Sequence, residues 1–187
     1  MPLGLSVAAR LESCFTHRMT TSNAAPVNKF CWVGLQYYSL TWLCFGRQDH
    51  FTQRDRYELV WSQFLRASAE TKVVNVAHCF MKDHVHQVVQ GTTLDADAKD
   101  YIKRAKQYSG FHFKKEFGMS LWERDGHNHV ILSDEEVNTQ LRYVLQNPVK
   151  DGLVVRAEEY PYTGSQIYTL DELMLWVYGD EWRPATR

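Results

Sequence analysis

At 187 residues the chain has room for one substantial hydrophobic core and does not demand a second domain. An apolar share of 44%, with six Trp and ten Tyr, excludes a disordered chain, and no apolar run approaches the roughly 18 residues of a membrane span. The net charge of −1 provides no global basic surface for neutralising phosphates, so any nucleic-acid role must rest on local charge.

The opening "MPLGLSVAARLESC" lacks the basic and long apolar regions of a signal peptide, so a cytoplasmic protein with no membrane partner is expected. Four cysteines, Cys14, Cys31, Cys44 and Cys79, form no C-x-x-C pair and are read as reduced, structural thiols rather than a zinc ribbon. Residues 1–28 have no sustained periodicity and are expected to form a loose leader, followed by one domain over 29–157. A C-terminal extension over 158–187 is expected to pack on or near that domain.

The aromatic and β-branched run before Phe45 predicts a strand within Tyr37 to Phe45. In "FTQRDRYELVWSQFLRASAE", Tyr57, Val60, Trp61, Phe64 and Leu65 recur at helical spacing, with Thr52 placed to cap the start. Two short β-like runs follow, "KVVNVAHCFM" and "HVHQVV", separated by Lys82 and Asp83 as in an antiparallel hairpin. A second helix is expected over about Asp95 to Phe117, with an interruption near Ser109 and Gly110. "SLWERDGHNHVIL" reads as a strand broken at Asp125 and Gly126.

Ser133 and Glu136 match a capping box opening a helix whose apolar stripe is Val137, Leu141, Val144 and Leu145. Pro148 disfavours the α conformation in its predecessor, so this helix is expected to end close to Asn147. The order β, α, β, β, α, β, α predicts an α+β domain of ferredoxin-like type, an antiparallel sheet with helices packed on one face.

Two short motifs carry candidate chemistry. In "CFMKDHVHQVVQ", strand alternation projects His84 and His86 to one side with α-carbons about 6.5 to 7 Å apart, close enough for two imidazoles to share a cation. An H-x-H pair standing alone is more often a pair of exposed or hydrogen-bonded histidines than a site. On the capped helix, at about 100° per residue from Val137, the apolar stripe centres near about 25° while Tyr143 and Asn147 fall near about 240° and 280°. They share a face outside the core stripe, as a surface tyrosine and amide also would.

Together the motifs resemble a family. "MKDHVHQVV" is similar to the M-P-N-H-V-H-apolar segment, and "RYVLQNPVKDGLV" to the Y-(x)3-N-P-V-(x)2-G-(x)-V segment, of REP-associated tyrosine transposases, bacterial relatives of the single-tyrosine HUH transposases. "LWERDGHNHVILSDEEV" and "YPYTGSQIYT" fit the same pattern, so the resemblance runs from about Tyr37 to Tyr168. It departs from the pattern at Lys82 and Asp83, where the family has proline and asparagine.

The resemblance implies an HUH endonuclease and transposase fold and a single-stranded DNA endonuclease and strand transferase. Tyr143 would be the nucleophile, and His84, His86 and Asn147 the ligands of a divalent ion, magnesium or manganese. Attack would leave a 5′-phosphotyrosine and a free 3′-hydroxyl, on single-stranded or hairpin DNA of the palindromic REP type, by a monomer or a homodimer. The alternative is an inactive or domesticated hairpin-binding module on the same fold.

Lys103, Arg104, Lys106, Lys114 and Lys115 form a local basic segment that could contact DNA phosphates, and Tyr101, Tyr108, Phe111 or Phe113 could stack on bases. The same spacing suits a solvated helix face with its aromatics in the core. A second H-x-H pair, His127 and His129, is read as a decoy, a hydrogen-bond partner of the site or a local metal pair.

Overall fold

A computed structural model of the protein describes residues 32–179 and Trp182. The leader expected over 1–28, with Cys14, lies outside the described residues, as does Cys31. The elements in chain order are β1 (Tyr37–Cys44), α1 (Arg54–Thr71), β2 (Val73–Phe80), β3 (His84–Gly91), α2 (Ala98–Phe117), β4 (Trp122–Ile131), α3 (Asp134–Lys150), a two-residue β5 (Thr163–Gly164) and α4 (Leu170–Tyr178). The strands pair antiparallel in the order β4-β1-β3-β2-β5. The first four reproduce the ferredoxin-like arrangement expected from the sequence.

Alternation along the central strands decides where the helices go. Tyr38, Leu40, Trp42 and Cys44 of β1, with Val85 and Val89 of β3, face a core that also takes Val60, Phe64 and Ala67 of α1 and Tyr101, Ala105 and Phe113 of α2. These are the two helices of the ferredoxin-like unit, and they share one face as expected. Tyr37 of β1 and Val88 of β3 turn the other way, and Val137, Leu141, Val144 and Leu145 of α3 cover them, with Leu173, Met174 and Val177 of α4. The stripe read on α3 is therefore the buried one, and the later helices add a second layer because the sheet is apolar on both sides.

The extension is tied to the same layer. Thr163 and Gly164 pair with Cys79 and His78, and the Tyr160 hydroxyl donates to the Phe80 carbonyl at 2.9 Å. Thr169 and Glu172 form a full capping box that starts α4.

Four local expectations change. Thr52 does not cap α1: its hydroxyl donates to the Asp49 carbonyl within a short 3-10 turn, and Gln53 holds the cap position. Helix α2 runs unbroken from its Asp97 cap, whose side chain accepts from the Asp100 N–H, to Gly118. Ser109 satisfies itself on the Ala105 carbonyl and accepts the Trp122 indole N–H at 2.8 Å, so the Ser-Gly pair marks a helix–strand contact instead of a break.

The expected break at Asp125 and Gly126 is a bulge within one continuous strand. Trp42 pairs with Gly126 and Cys44 with Trp122, so β4 spends four residues where β1 spends two. Finally, α3 passes through Pro148 to Lys150 instead of ending near Asn147. The helix closes a turn later in a Schellman arrangement: Leu153 N–H bonds the Pro148 carbonyl and Gly152 N–H the Val149 carbonyl, with Gly152 at φ 68.

Gly91 at the end of β3 is the position where a side chain fits worst, because a Cβ there would lie 1.9 Å from the Gly34 carbonyl oxygen. Gly91→Ala is expected to destabilise the fold by about 1–3 kcal/mol, the range for forcing atoms into a filled site, measured as a lower urea midpoint at pH 7.

His78 on β2 sits fully inside the helical layer, between Asn75 and Tyr57 and against the Trp61 ring. Burial pushes its pKa down from 6.5 to about 3. Between those values the unfolded chain takes up a proton that the folded chain refuses, so its contribution is complete above about pH 6.5 and is lost as pH falls toward about 3. Urea unfolding at pH 7, 5 and 4 is expected to show a falling midpoint for the wild type and a flatter profile for His78→Gln.

Candidate active site

The β3 face away from α1 and α2 carries His84 and His86, and α3 crosses this face. The two rings stand edge-on with centroids 4.7 Å apart, and the His86 ring meets the Tyr143 ring at 5.1 Å in a T-shaped contact. The antiparallel register sets this geometry by placing Thr41 beside His86 and Leu43 beside His84 on the neighbouring strand. Tyr143 lies on α3 outside its buried stripe, 41% exposed, so its hydroxyl is carried at the protein surface beside a buried histidine.

Each imidazole has a partner at Nδ1. His86 Nδ1 lies 3.1 Å from the Thr41 hydroxyl, and His84 Nδ1 lies 2.6 Å from Asp83 Oδ1. Occupied Nδ1 atoms turn the Nε2 atoms to the opposite side of each ring, where a lone pair can bind a cation. His86 is 7% exposed, and burial, followed by the charges of His84 and Arg47, pushes its pKa from 6.5 down to about 3. It is therefore a neutral imidazole at physiological pH, the form that serves as a ligand.

Asn147 is one helical turn beyond Tyr143, also 7% exposed, and its amide N–H donates to the Tyr143 carbonyl at 2.7 Å. With the NH₂ group engaged along the helix, the amide oxygen is left as the acceptor end of the side chain. Among the described residues no group of three or more His, Cys, Asp and Glu could hold a metal ion. Two imidazoles and an amide oxygen, if they converged on one cation, would be a donor combination that suits manganese or magnesium.

Charges around the site are uneven. A cleft of about 430 Å³ beside the β2–β3 turn is lined by Asp49, Asp83 and Asp151 against a single cation, Lys82. Three carboxylates make it a poor seat for a phosphate. Lys150, by contrast, holds its Nζ 4.8 Å from the centroid of the Tyr143 ring.

The other candidates lie elsewhere. Helix α2 packs on the opposite face of the sheet from His84 and His86. Its Arg104 is bound to Asp100 and Glu70 at 2.8 Å each, and Lys106 donates to the Arg124 carbonyl at 2.7 Å. Lys103, Lys114 and Lys115 are exposed. Of the aromatics, Tyr101 and Phe113 are core residues, Tyr108 donates to Glu70, and Phe111 alone of the four is strongly exposed, at 65%.

His127 and His129 pair with Thr41 and Ser39 and so share the sheet face of His84 and His86, on the neighbouring side of β1. His129 Nε2 stands 3.5 Å from Glu136 Oε1. The residues that sequence reasoning missed are Thr41 and Arg47. Neither belongs to a motif, and only strand pairing and loop geometry bring them to the histidines; Asp83 was visible only as a departure from the usual turn.

Residues 33–147 match the family described as "Transposase IS200 like". A chain described as a REP-associated tyrosine transposase in Haemophilus influenzae is 28% identical over 101 residues, 47% of this chain and 56% of that relative, so this chain spans little more than half of the relative's length. A solved REP-associated tyrosine transposase bound to a REP hairpin superposes with a TM-score of 0.62 at 16% identity, covering 74% of this chain and 82% of that one, a likeness of fold. Among the described residues no helix is long and apolar enough to cross a membrane. A family match over most of the described residues, on a fold that sets a histidine pair beneath a tyrosine helix, shows that the chain belongs to the IS200-like transposase family.

Proposed function

We propose that the protein is a metal-assisted tyrosine endonuclease and strand transferase acting on single-stranded or hairpin DNA. The observation that carries this reading is the contact of the His86 ring with the Tyr143 ring at 5.1 Å, with Asn147 one turn farther along the same helix. A DNA-binding module would have no need for a surface tyrosine set against a buried neutral histidine.

His84 Nε2, His86 Nε2 and the Asn147 amide oxygen would hold magnesium or manganese. When bound, such an ion polarises a phosphate oxygen and offsets the charge of the transition state. The chain's own residues position the reaction. Thr41 and Asp83 hold the two rings at Nδ1, and the Asn147 amide N–H is anchored on the tyrosine's own carbonyl. The Tyr143 oxygen attacks phosphorus as its phenolic proton leaves; the Oη–P bond forms, the P–O3′ bond breaks, and the departing 3′ oxygen takes up a proton. The 5′-phosphotyrosine retains a phosphodiester, so a second 3′-hydroxyl can reverse the step and join strands without an external energy source.

DNA with the palindromic character of a REP hairpin is the substrate class we assign, in keeping with the structural relative that holds such a hairpin. Exposed Lys103, Lys114 and Lys115 on α2 and Lys150 beside the tyrosine are among the cations available to phosphates.

Incubation with hairpin DNA bearing a single-stranded flank, in manganese, is expected to give a protein–DNA adduct that survives a denaturing gel. Tyr143→Phe is expected to abolish the adduct and to lower cleavage on the order of 10³-fold or more. His84→Ala is expected to lower cleavage while leaving hairpin binding intact. Cleavage by Tyr143→Phe at the wild-type rate sinks the nucleophile assignment, and binding without any adduct in the wild type leaves a binding module in its place.

A further inference from the structure

The turn that delivers His84 is held by a loop remote in sequence. The Cys44 N–H bonds the Asp83 carbonyl at 3.0 Å, and the Phe51 N–H bonds the Lys82 carbonyl at 2.9 Å, so the loop between β1 and α1 clamps the turn from both ends. Within that loop Gly46 (φ 60) and Arg47 (φ 53) both adopt the left-handed conformation. Glycine accepts it freely, but arginine adopts it at a cost and persists there only where its surroundings hold it. Gly46 N–H is anchored on Glu123 Oε1 at 2.7 Å, and Phe45 N–H on the Leu121 carbonyl at 2.9 Å. The result of this backbone is that Arg47 Nε meets Asp83 Oδ2 at 2.7 Å, while Asp83 Oδ1 meets His84 Nδ1 at 2.6 Å.

We propose that Arg47 and Asp83 form a positioning relay for His84. Arg47 holds one oxygen of the carboxylate so that the other accepts the Nδ1 proton of His84, which fixes the Nε2 lone pair as the ring's outward donor. The proposal rests on the reading of His84 as a metal ligand and adds to it Arg47, which holds the carboxylate that selects the ring's tautomer.

The chemistry explains why two charged residues are used. A carboxylate behind a ligating imidazole raises the basicity of the ring and fixes its orientation. Alone, it would also place a negative charge close to where a phosphodiester must lie. The Arg47 guanidinium cancels that charge while leaving the acceptor oxygen in place. Asp83 stands where the M-P-N-H segment has asparagine, a residue whose side-chain oxygen is also an acceptor but carries no charge. The departure from the family pattern and the left-handed arginine thus become one device.

The test reads the ring directly. Long-range ¹H–¹⁵N spectra of the metal-free protein are expected to show His84 as the Nδ1–H tautomer in the wild type and in Asp83→Asn, whose side-chain oxygen still accepts. In Asp83→Ala the Nε2–H form is expected to appear. Manganese affinity, read from the free-ion electron paramagnetic resonance signal, is expected to fall on the order of 10–100-fold in Asp83→Ala, less in Arg47→Ala, and to be largely restored in Asp83→Asn.

A wild-type His84 in the Nε2–H form overturns the relay, as does an Asp83→Ala protein with unchanged tautomer and unchanged affinity. Asp83→Asn keeps the test decisive if the alanine variant does not fold: loss of the Nδ1–H form there overturns the proposal. A tautomer that follows residue 83 in a protein that binds no manganese sustains the relay and sinks the ligand reading of His84 instead.

Discussion

The whole arrangement depends on β3 being apolar on both of its faces. Val85 and Val89 face the layer of α1 and α2, while Val88 faces α3 and α4. A sheet with one wet face would leave the histidine side to solvent; this one must be covered twice, and the helix that completes the second layer is the one bearing Tyr143. Burying the α3 stripe and presenting the tyrosine to His86 are therefore one event. The hydrophobic drive that seats Leu141 and Leu145 also sets the distance between the two rings.

Burial acts on the chemistry as well. A histidine removed from water is kept neutral because the charged form loses its hydration, and nearby positive charge adds to the effect. The same surroundings demand a partner for each buried polar atom, since an unsatisfied one costs about 1–3 kcal/mol. Thr41 meets that demand at His86 on the site face. On the other face Gln87 meets it by accepting from Trp42 Nε1 at 2.7 Å and donating to the Tyr101 hydroxyl at 3.3 Å. The central strand thus carries a polar residue on each face without leaving either unpaired.

The near-zero net charge finds its counterpart in how the basic residues are used. Arg104 joins Asp100 and Glu70, Arg47 joins Asp83, and Lys72 joins Asp95. These positive charges are thereby spent within the molecule. Two of the five cations in the basic segment have intramolecular partners, and the helix that bears them is separated from the tyrosine by the thickness of the sheet. Sequence clustering of lysine and arginine is blind to both facts, because neither the face of the sheet nor the ion-pair partner is encoded locally.

By itself the sequence determined the element order, the stripe of α3, the two histidines on one strand face and the tyrosine four residues before an amide, because all of these follow from local periodicity. Its misreadings were also local: Pro148 near a helix end is carried through by a Schellman closure, and Gly126 marks a bulge where a break was expected. Only the tertiary structure decided that β1 brings Thr41 to His86, that an arginine in a left-handed turn reaches Asp83, and that the basic helix lies across the sheet from the tyrosine. The physical reason is that periodicity specifies which way a side chain points along its own element, while its partner is chosen by strand register and by which apolar surfaces must be hidden from water.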